Sequence, residues 1–456
     1  MNGFADALDR YFRITERGST ISTELRGGII TFLSMSYIIV VNPLILNMES
    51  GEATIGQLFT ATALAAAISS LLMGLYARLP VALAPGMGLN IFLSMTICYT
   101  MGFSFEQGLT VVLISGIVFF AISVTGLRRA VLDTIPKALK VSIAAGIGFF
   151  IALVGLYNAG IIVHGDGSAL ALGDVTDPGV LLAFLCVTIT LTLWQRNKWY
   201  AVSLGIAVTW VFGLLISHFG VSSDVSPLPS LDGVSLTSTP DFALFGAVFS
   251  GFGGFDTSMV VSFLIAVLSL CIVDLFDTTG TLIGVGTSAG LIDEEGNIEN
   301  LDKALAVDSA SSVAGAICGT SSTTSFIESL TGIQSGARTG LMAVIVGLLF
   351  ILSLAFLGLV TSVTSCCTTG ALVLVGIIML SNLGKVDWKD PIGSFTAIVT
   401  IFMMGLTGSI TDGIGFGFIV YALGSAVTGK MRDVSAAMWV IVALFIAYFL
   451  LINIVG

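Results

Sequence analysis

Asp274, Asp277, Glu328 and Asn90 are the residues of this chain whose types and positions point to chemistry. The two aspartates stand in the run Val273, Asp274, Leu275, Phe276, Asp277, Thr278, Thr279, Gly280, within a stretch that is otherwise apolar. A spacing of three puts both carboxylates on one face of a helix. A charge inside a membrane-spanning helix costs about 2.5–3.5 kcal/mol on insertion scales, so at least one of the pair should face a polar cavity. Two carboxylates this close, withdrawn from water, favour holding a proton and releasing it when the cavity opens to the other side, which is the chemistry of proton coupling. The competing reading is structural: the pair caps neighbouring half-helix N–H groups or meets a fixed Lys or Arg, although no basic residue falls at that depth in the sequence.

Glu328 follows the polar lead Gly319, Thr320, Ser321, Ser322, Thr323, Thr324, Ser325 and opens a short apolar run. Ser325 three residues before it makes a capping-box pattern, one structural explanation for the acid. The functional one is a carboxylate that accepts two parallel N–H bonds from a planar heterocycle. Asn90 ends the run Ala84, Pro85, Gly86, Met87, Gly88, Leu89, Asn90 and supplies both a donor and an acceptor, or else is simply a packed polar side chain.

These residues need elements to hold them, and composition says which. Of 456 residues, 55% are hydrophobic and only 10% charged, against about 25% charged in soluble domains. A soluble fold cannot hide that much apolar surface, and uncharged stretches of the roughly 20 residues needed to cross a bilayer recur along the chain. The fold class read from this is an all-α polytopic membrane protein of about fourteen spans, the first at 27–48, the third at 80–98, the eighth at 259–284 and the tenth at 321–335. Arg10, Arg13, Arg17 and Arg26 precede the first span in an amphipathic lead without a signal-peptide pattern, so the N-terminus is expected to be cytoplasmic. The even-numbered spans then end at loops carrying Arg78, Arg128 and Arg129, Arg196 and Lys198, Lys303, Arg338, Lys385 and Lys389, and Lys430 and Arg432, as the positive-inside rule requires. The net charge of −11 comes from acids in loops such as 166–177 and 224–241, and net charge does not set orientation. The apolar stretch 436–455 is long enough to cross or to lie along the interface.

The third and tenth segments cannot be ordinary spans. Pro80, Pro85, Gly86 and Gly88 forbid a continuous helix in one, and the Ser/Thr-rich lead does so in the other. An extended strand leading a half-helix fits both. Third and tenth are equivalent places in two halves of seven spans, and an odd repeat length makes the second half inverted. Paired interrupted segments of this kind mark the midplane binding site of secondary transporters, where half-helix N-termini offer free N–H groups. The plainer alternative is that the prolines and glycines only kink two helices for packing.

Weaker candidates are Asn42 with Pro43, which interrupt the first span, Asp308 in the ninth and Asp412 at the start of the fourteenth; each reads as a local cap or packing device. His164 and His218 fall at span ends near the external face and are set aside as proton relays. The six cysteines show no zinc-type spacing and read as small core residues, with a vicinal or structural disulfide as the alternative. No phosphate loop, metalloprotease motif or nucleophile elbow is present, and no nucleic-acid partner or cofactor other than the coupling proton is expected.

Three of these runs, Val273 to Gly284, Ala84 to Asn90 and Gly319 to Glu328, resemble the signatures of the AzgA-like purine permeases, a branch of the nucleobase cation symporters. Asn42 with Pro43, Ile135 to Lys137 and Ala337 to Gly340 extend the resemblance over nearly the whole chain. It implies fourteen spans in two inverted repeats and a proton symporter for adenine, guanine or hypoxanthine in the bacterial inner (plasma) membrane. The expected division is a cytoplasmic segment 1–26, core-domain spans at 27–126 and 259–358, gate-domain spans at 127–218 and 359–428, an external loop at 219–258 and an apolar C-terminal segment at 429–456. Asn90, Asp274 and Glu328 match the family's substrate positions, and Asp277 matches a position needed for transport, which gives Asp274 and Asp277 to proton coupling. A homodimer through gate-domain helices is also expected. The alternatives carried are a facilitative channel or anion transporter of the same fold and, further off, an intramembrane hydrolase.

Overall fold

The computed structural model describes residues 2–50, 53–125, 135–165, 168–231, 239–256, 259–289, 300–431 and 434–455. Arg128, Arg129 and Arg432, three of the residues used above to read orientation, lie outside them, as does Asp166. The chain is predominantly helical. Nine described helices are long and apolar enough to cross a membrane, and four further apolar helices are shorter.

Helix α1 (Asn2–Phe12) is amphipathic, and the chain just after it buries Ile14 alongside Phe12 against Leu341. The hydroxyl of Tyr11 donates to the Leu75 carbonyl at 2.8 Å, and the Arg78 guanidinium lies 4.3 Å above the Tyr11 ring. The first span is two helices, α2 (Ile21–Met35) and α3 (Ile38–Ser50), with Pro43 inside the second. The interruption therefore falls at Ser36 and Tyr37, not at Asn42 and Pro43 as the sequence suggested. A proline ring collides with the carbonyl four residues earlier, so the distortion it causes lies on its N-terminal side. Helix α4 (Ile55–Leu72) starts with a Thr54–Gln57 capping box and widens into a π-helical turn, Met73–Ala77.

Strand β1 (Leu83–Pro85) then leads helix α5 (Met87–Ile91), which runs on as a π-helix, Phe92–Thr100. Helix α6 (Phe105–Val124) follows, then α7 (Lys137–Asn158). The hairpin β2 (Ile162–Gly165) and β3 (Ser168–Leu172) adds a second small sheet that an all-helical reading did not anticipate. Next come α8 (Pro178–Gln195), α9 (Ala201–His218), the long α10 (Val260–Ala289) and α11 (Leu301–Cys318). Gly319, at φ +93°, ends α11 in a left-handed turn. Strand β4 (Thr323–Ser325) leads α12 (Ser329–Gln334), followed by α13 (Gly340–Ser353), α14 (Leu357–Thr361), α15 (Ser365–Leu380), α16 (Pro391–Thr407), α17 (Ile410–Val427) and α18 (Ala436–Val455).

β1 and β4 pair antiparallel, Leu83 opposite Ser325, Ala84 opposite Thr324 and Pro85 opposite Thr323. The ladder continues at both ends, with Gly86 N donating to Ser322 O and Phe326 N to Ala82 O, each at 3.0 Å. Side chains complete it: Ser70 Oγ donates to Leu83 O at 2.9 Å and accepts from Leu83 N at 3.0 Å, and Ala82 N donates to Ser329 Oγ at 3.0 Å. Buried extended backbone deep in a membrane protein is tolerable only when its polar groups are met in this way.

Helices α4, α10 and α11 contact this strand pair, with α2, α6 and α13 packed beside them, while α7, α8, α15, α16 and α17 pack with one another. Helix α13 comes close to the end of α4 at Gly74 and Gly340: a Cβ on Gly74 would sit 2.5 Å from the Gly340 carbonyl, and one on Gly340 would sit 2.7 Å from Arg78 Cα. Helix α18 lies against both α17 and α10, burying Met438, Val442, Phe445 and Tyr448.

Candidate functional site

Where the two strands turn into their half-helices, they face α10 and α7 across a cavity of about 580 Å³, within the range of small-molecule sites. Gly86 to Leu89 line it from one joint and Thr324 to Glu328 from the other. Val273, Asp277 and Thr281 of α10 form one wall, and Ile143 and Ile147 of α7 another. Lys140, Asn382 and Lys385 also reach it, with Lys385 Nζ donating to Asn382 Oδ1 at 2.9 Å. The walls are largely apolar, with carboxylates at two points, an arrangement that suits a flat, partly apolar molecule bearing N–H donors.

The structure brings Glu328 and Asp277 to this cavity and sets Asn90 and Asp274 one layer behind it. Glu328 stands at the N-cap position of α12 without capping it. Ser325 is likewise no partner in a capping box, because its backbone N and its Oγ both donate to Asp308 Oδ1, at 2.9 and 2.7 Å. The reason is local: Ser325 is still extended and paired in β4, so its hydroxyl points to α11 and not along α12. Glu328 Oε1 instead accepts a 2.7 Å bond from the hydroxyl of Tyr37, in the break of the first span.

Asp274 is buried, its Oδ2 accepting from Ser312 Oγ at 2.8 Å and Ser322 Oγ at 2.7 Å. Its Oδ1 is buried with no hydrogen-bond partner among the described residues. Asp308, read from sequence as a local device, holds β4 to α10: besides Ser325 it accepts from Thr278 Oγ1, which is also bonded to Thr324 Oγ1 at 3.0 Å. Asn90 donates through Nδ2 to Asn42 Oδ1 at 2.8 Å, and Asn42 Nδ2 donates to Thr62 Oγ1 and Thr320 Oγ1 at 2.7 and 2.8 Å. Those four side chains tie α5, α3, α4 and the approach to β4 together. All six cysteines are free.

Tyr37, Ser312, Ser322 and Lys140 were not singled out from sequence. For the serines the signal was present in the polar runs 309–312 and 321–325, which supply hydroxyls to a buried acid. A lone Tyr in an apolar span carries no such mark.

The sequence matches a family model described as "Permease family" (Xan_ur_permease) over residues 22–416. It is 40% identical over 448 residues to the adenine permease AdeQ of Escherichia coli, covering 98% of this chain and 97% of that one. It is 39% identical over 457 residues to the guanine/hypoxanthine permease PbuG of Bacillus subtilis, covering 98% and 100%. Among solved structures, the transmembrane domain of the cyanobacterial bicarbonate transporter BicA is similar in fold, with a TM-score of 0.60 at 16% identity over 86% of this chain and 97% of that one. SLC26A9 is similar too, with a TM-score of 0.59 at 10% identity over 93% and 68%.

Proposed function

The chain belongs to the Permease family, a multi-pass membrane family of transporters and not of enzymes, and from that premise we propose that it carries purine nucleobases across the membrane in symport with protons. The observation that carries the purine reading is similarity along almost the full length to relatives named for adenine and for guanine with hypoxanthine. The cavity agrees with it: apolar walls for a planar ring and a carboxylate, Glu328, to accept its N–H groups. The other two residues read as substrate-binding, Asn90 and Asp274, lie behind that lining, tied to Asn42 and Ser312.

Proton coupling is supported by Asp274 and Asp277, one helical turn apart on α10, one buried with an oxygen that has no partner among the described residues and the other on the cavity wall. An unpartnered buried carboxylate oxygen is costly unless a proton or cation is there. We also propose two inverted halves of seven spans, with the antiparallel β1–β4 pair at their common centre; a core domain formed by 27–126 and 259–358 moving against a gate domain formed by 127–218 and 359–428; a cytoplasmic N-terminus; insertion in the bacterial inner membrane; and a homodimer.

The second reading, an anion transporter or channel of the same fold, is favoured by the likeness to BicA and SLC26A9, which at 16% and 10% identity bears on fold alone. Uptake of radiolabelled adenine, guanine and hypoxanthine into proteoliposomes, with and without an inward proton gradient, separates the two. Accumulation driven by the gradient is expected. Accumulation indifferent to the gradient removes symport, and uptake of bicarbonate or chloride but of no purine replaces the reading with the second one.

A further inference from the structure

We infer that Tyr37 is a positioning and specificity-determining residue, which takes one oxygen of the Glu328 carboxylate and so limits what that carboxylate offers to a substrate. The inference rests on the purine-transport reading and deepens it. Tyr37 is 3% exposed, borders the cavity, and sits in the non-helical break between α2 and α3, where its hydroxyl can leave the helix surface and reach Glu328 Oε1 at 2.7 Å. A hydrogen bond to a charged carboxylate is among the stronger kinds and fixes the side chain's orientation as well as its energy.

The break does more than place a phenol. Ser34, three residues earlier, is hydrogen-bonded through Oγ to Thr331 Oγ1 at 2.9 Å, and Thr331 in turn donates from its N and its Oγ1 to the Glu328 carbonyl, at 2.9 and 2.7 Å. The end of α2 therefore grips the start of α12 twice, once on its backbone side through Ser34 and once on the carboxylate through Tyr37. The first fixes the helix and the second fixes the acid.

A free carboxylate presents two oxygens and pairs best with two adjacent donors, such as the ring N–H and amino group along one edge of a 2-amino-6-oxopurine. With one acceptor site of Oε1 taken by the phenol, a ligand donor that pairs with Oε1 must share that oxygen with Tyr37, while one that pairs with Oε2 meets no such competitor from Tyr37. That suits a purine presenting a single N–H at this end and penalises the bidentate edge. Tyr37 thus sets the preference of hypoxanthine and adenine over guanine at this contact.

The test measures KM and Vmax of uptake for hypoxanthine, adenine and guanine in the wild-type chain and in Tyr37→Phe, which keeps the ring and deletes only the hydroxyl. The expected result is that KM for hypoxanthine and adenine rises by up to about tenfold, because the carboxylate they meet loses the charged hydrogen bond that orients it, while KM for guanine changes less, so that the guanine-to-hypoxanthine ratio shifts toward guanine. Ser34→Ala is the companion variant: it releases the backbone grip and should leave the substrate ratio where it was. Equal KM changes for all three purines in Tyr37→Phe, or the same ratio shift in Ser34→Ala, would overturn the inference by showing that Tyr37 only steadies α12. A protein folded poorly by Tyr37→Phe would reveal itself in its melting temperature, and the ratio, taken within one preparation, is independent of how much protein is active. No purine uptake by the wild-type chain would instead defeat the reading on which the inference rests.

Discussion

At the scale of single residues, the four polar side chains at the site divide by depth. Glu328 and Asp277 face the cavity, while Asn90 and Asp274 are tied into the protein behind it. Glu328→Gln should therefore weaken purine binding by about tenfold or more, because an amide puts a donor where the substrate or the Tyr37 hydroxyl also donates. Asp277→Asn should leave equilibrium binding measurable and abolish uphill accumulation, because the amide has no proton to give up when the cavity changes side. Binding by scintillation proximity and pH-jump uptake on both variants check this, and gradient-driven accumulation surviving in Asp277→Asn reverses the assignment. The acids and Asn90 were legible in the sequence because each is a polar residue where polarity is expensive. Tyr37 was not, since an aromatic ring is ordinary in an apolar span and only the fold shows that its hydroxyl meets Glu328. The supposed Ser325–Glu328 capping box failed for a related reason: the spacing was right, but Ser325 belongs to a strand whose partner lies far away in the chain.

At the scale of elements, the strands were foreseeable from Pro80, Pro85 and the glycines beside them, and from the hydroxyl-rich run before Glu328; residues that cannot propagate a helix announce that something else must satisfy the backbone. The π-helical stretches at Met73–Ala77 and Phe92–Thr100 were not, because their apolar sequences fit an α-helix equally well and tertiary contacts decide the winding. One such contact is the crossing of α13 over the end of α4 at Gly74 and Gly340. Gly74→Val should force these backbones apart and destabilise the protein by about 1–3 kcal/mol or more, the cost of overpacking. Thermal unfolding in detergent would read this as a clear drop in melting temperature, and an unchanged value would mean that the helices separate freely there.

At the scale of the whole molecule, hydropathy anticipated about fourteen crossings, and nine described helices qualify by length and composition. The difference lies in five particular elements: β1–α5 and β4–α12 are broken by design, α10 is apolar as a described stretch over Val260–Leu275, α11 carries Asp302, Lys303 and Asp308, and α16 has only 17 residues. The stretch 436–455, left open from sequence, is a helix that touches both α17 and α10 and so links the two groups of packed helices. Truncation after Ser435 uncovers Phe418 and the α10 surface, and should lower the melting temperature by on the order of 5 °C. An unaltered melt would show α18 to be an appendage. The strand pair has a consequence of another kind, for biogenesis. Leu83 meets Ser325, so β1 leaves the ribosome roughly 240 residues before its partner, a delay of about 12–48 seconds at ordinary synthesis speeds of 5–20 residues per second. For that interval the backbone groups that β1 shares with β4 have no mate inside a solvent that offers none, although Leu83 is already met by Ser70. The nascent first half must therefore wait in the insertion machinery or in a wet crevice, and the chain's passage into the bilayer is completed from its middle outward, when β4 arrives.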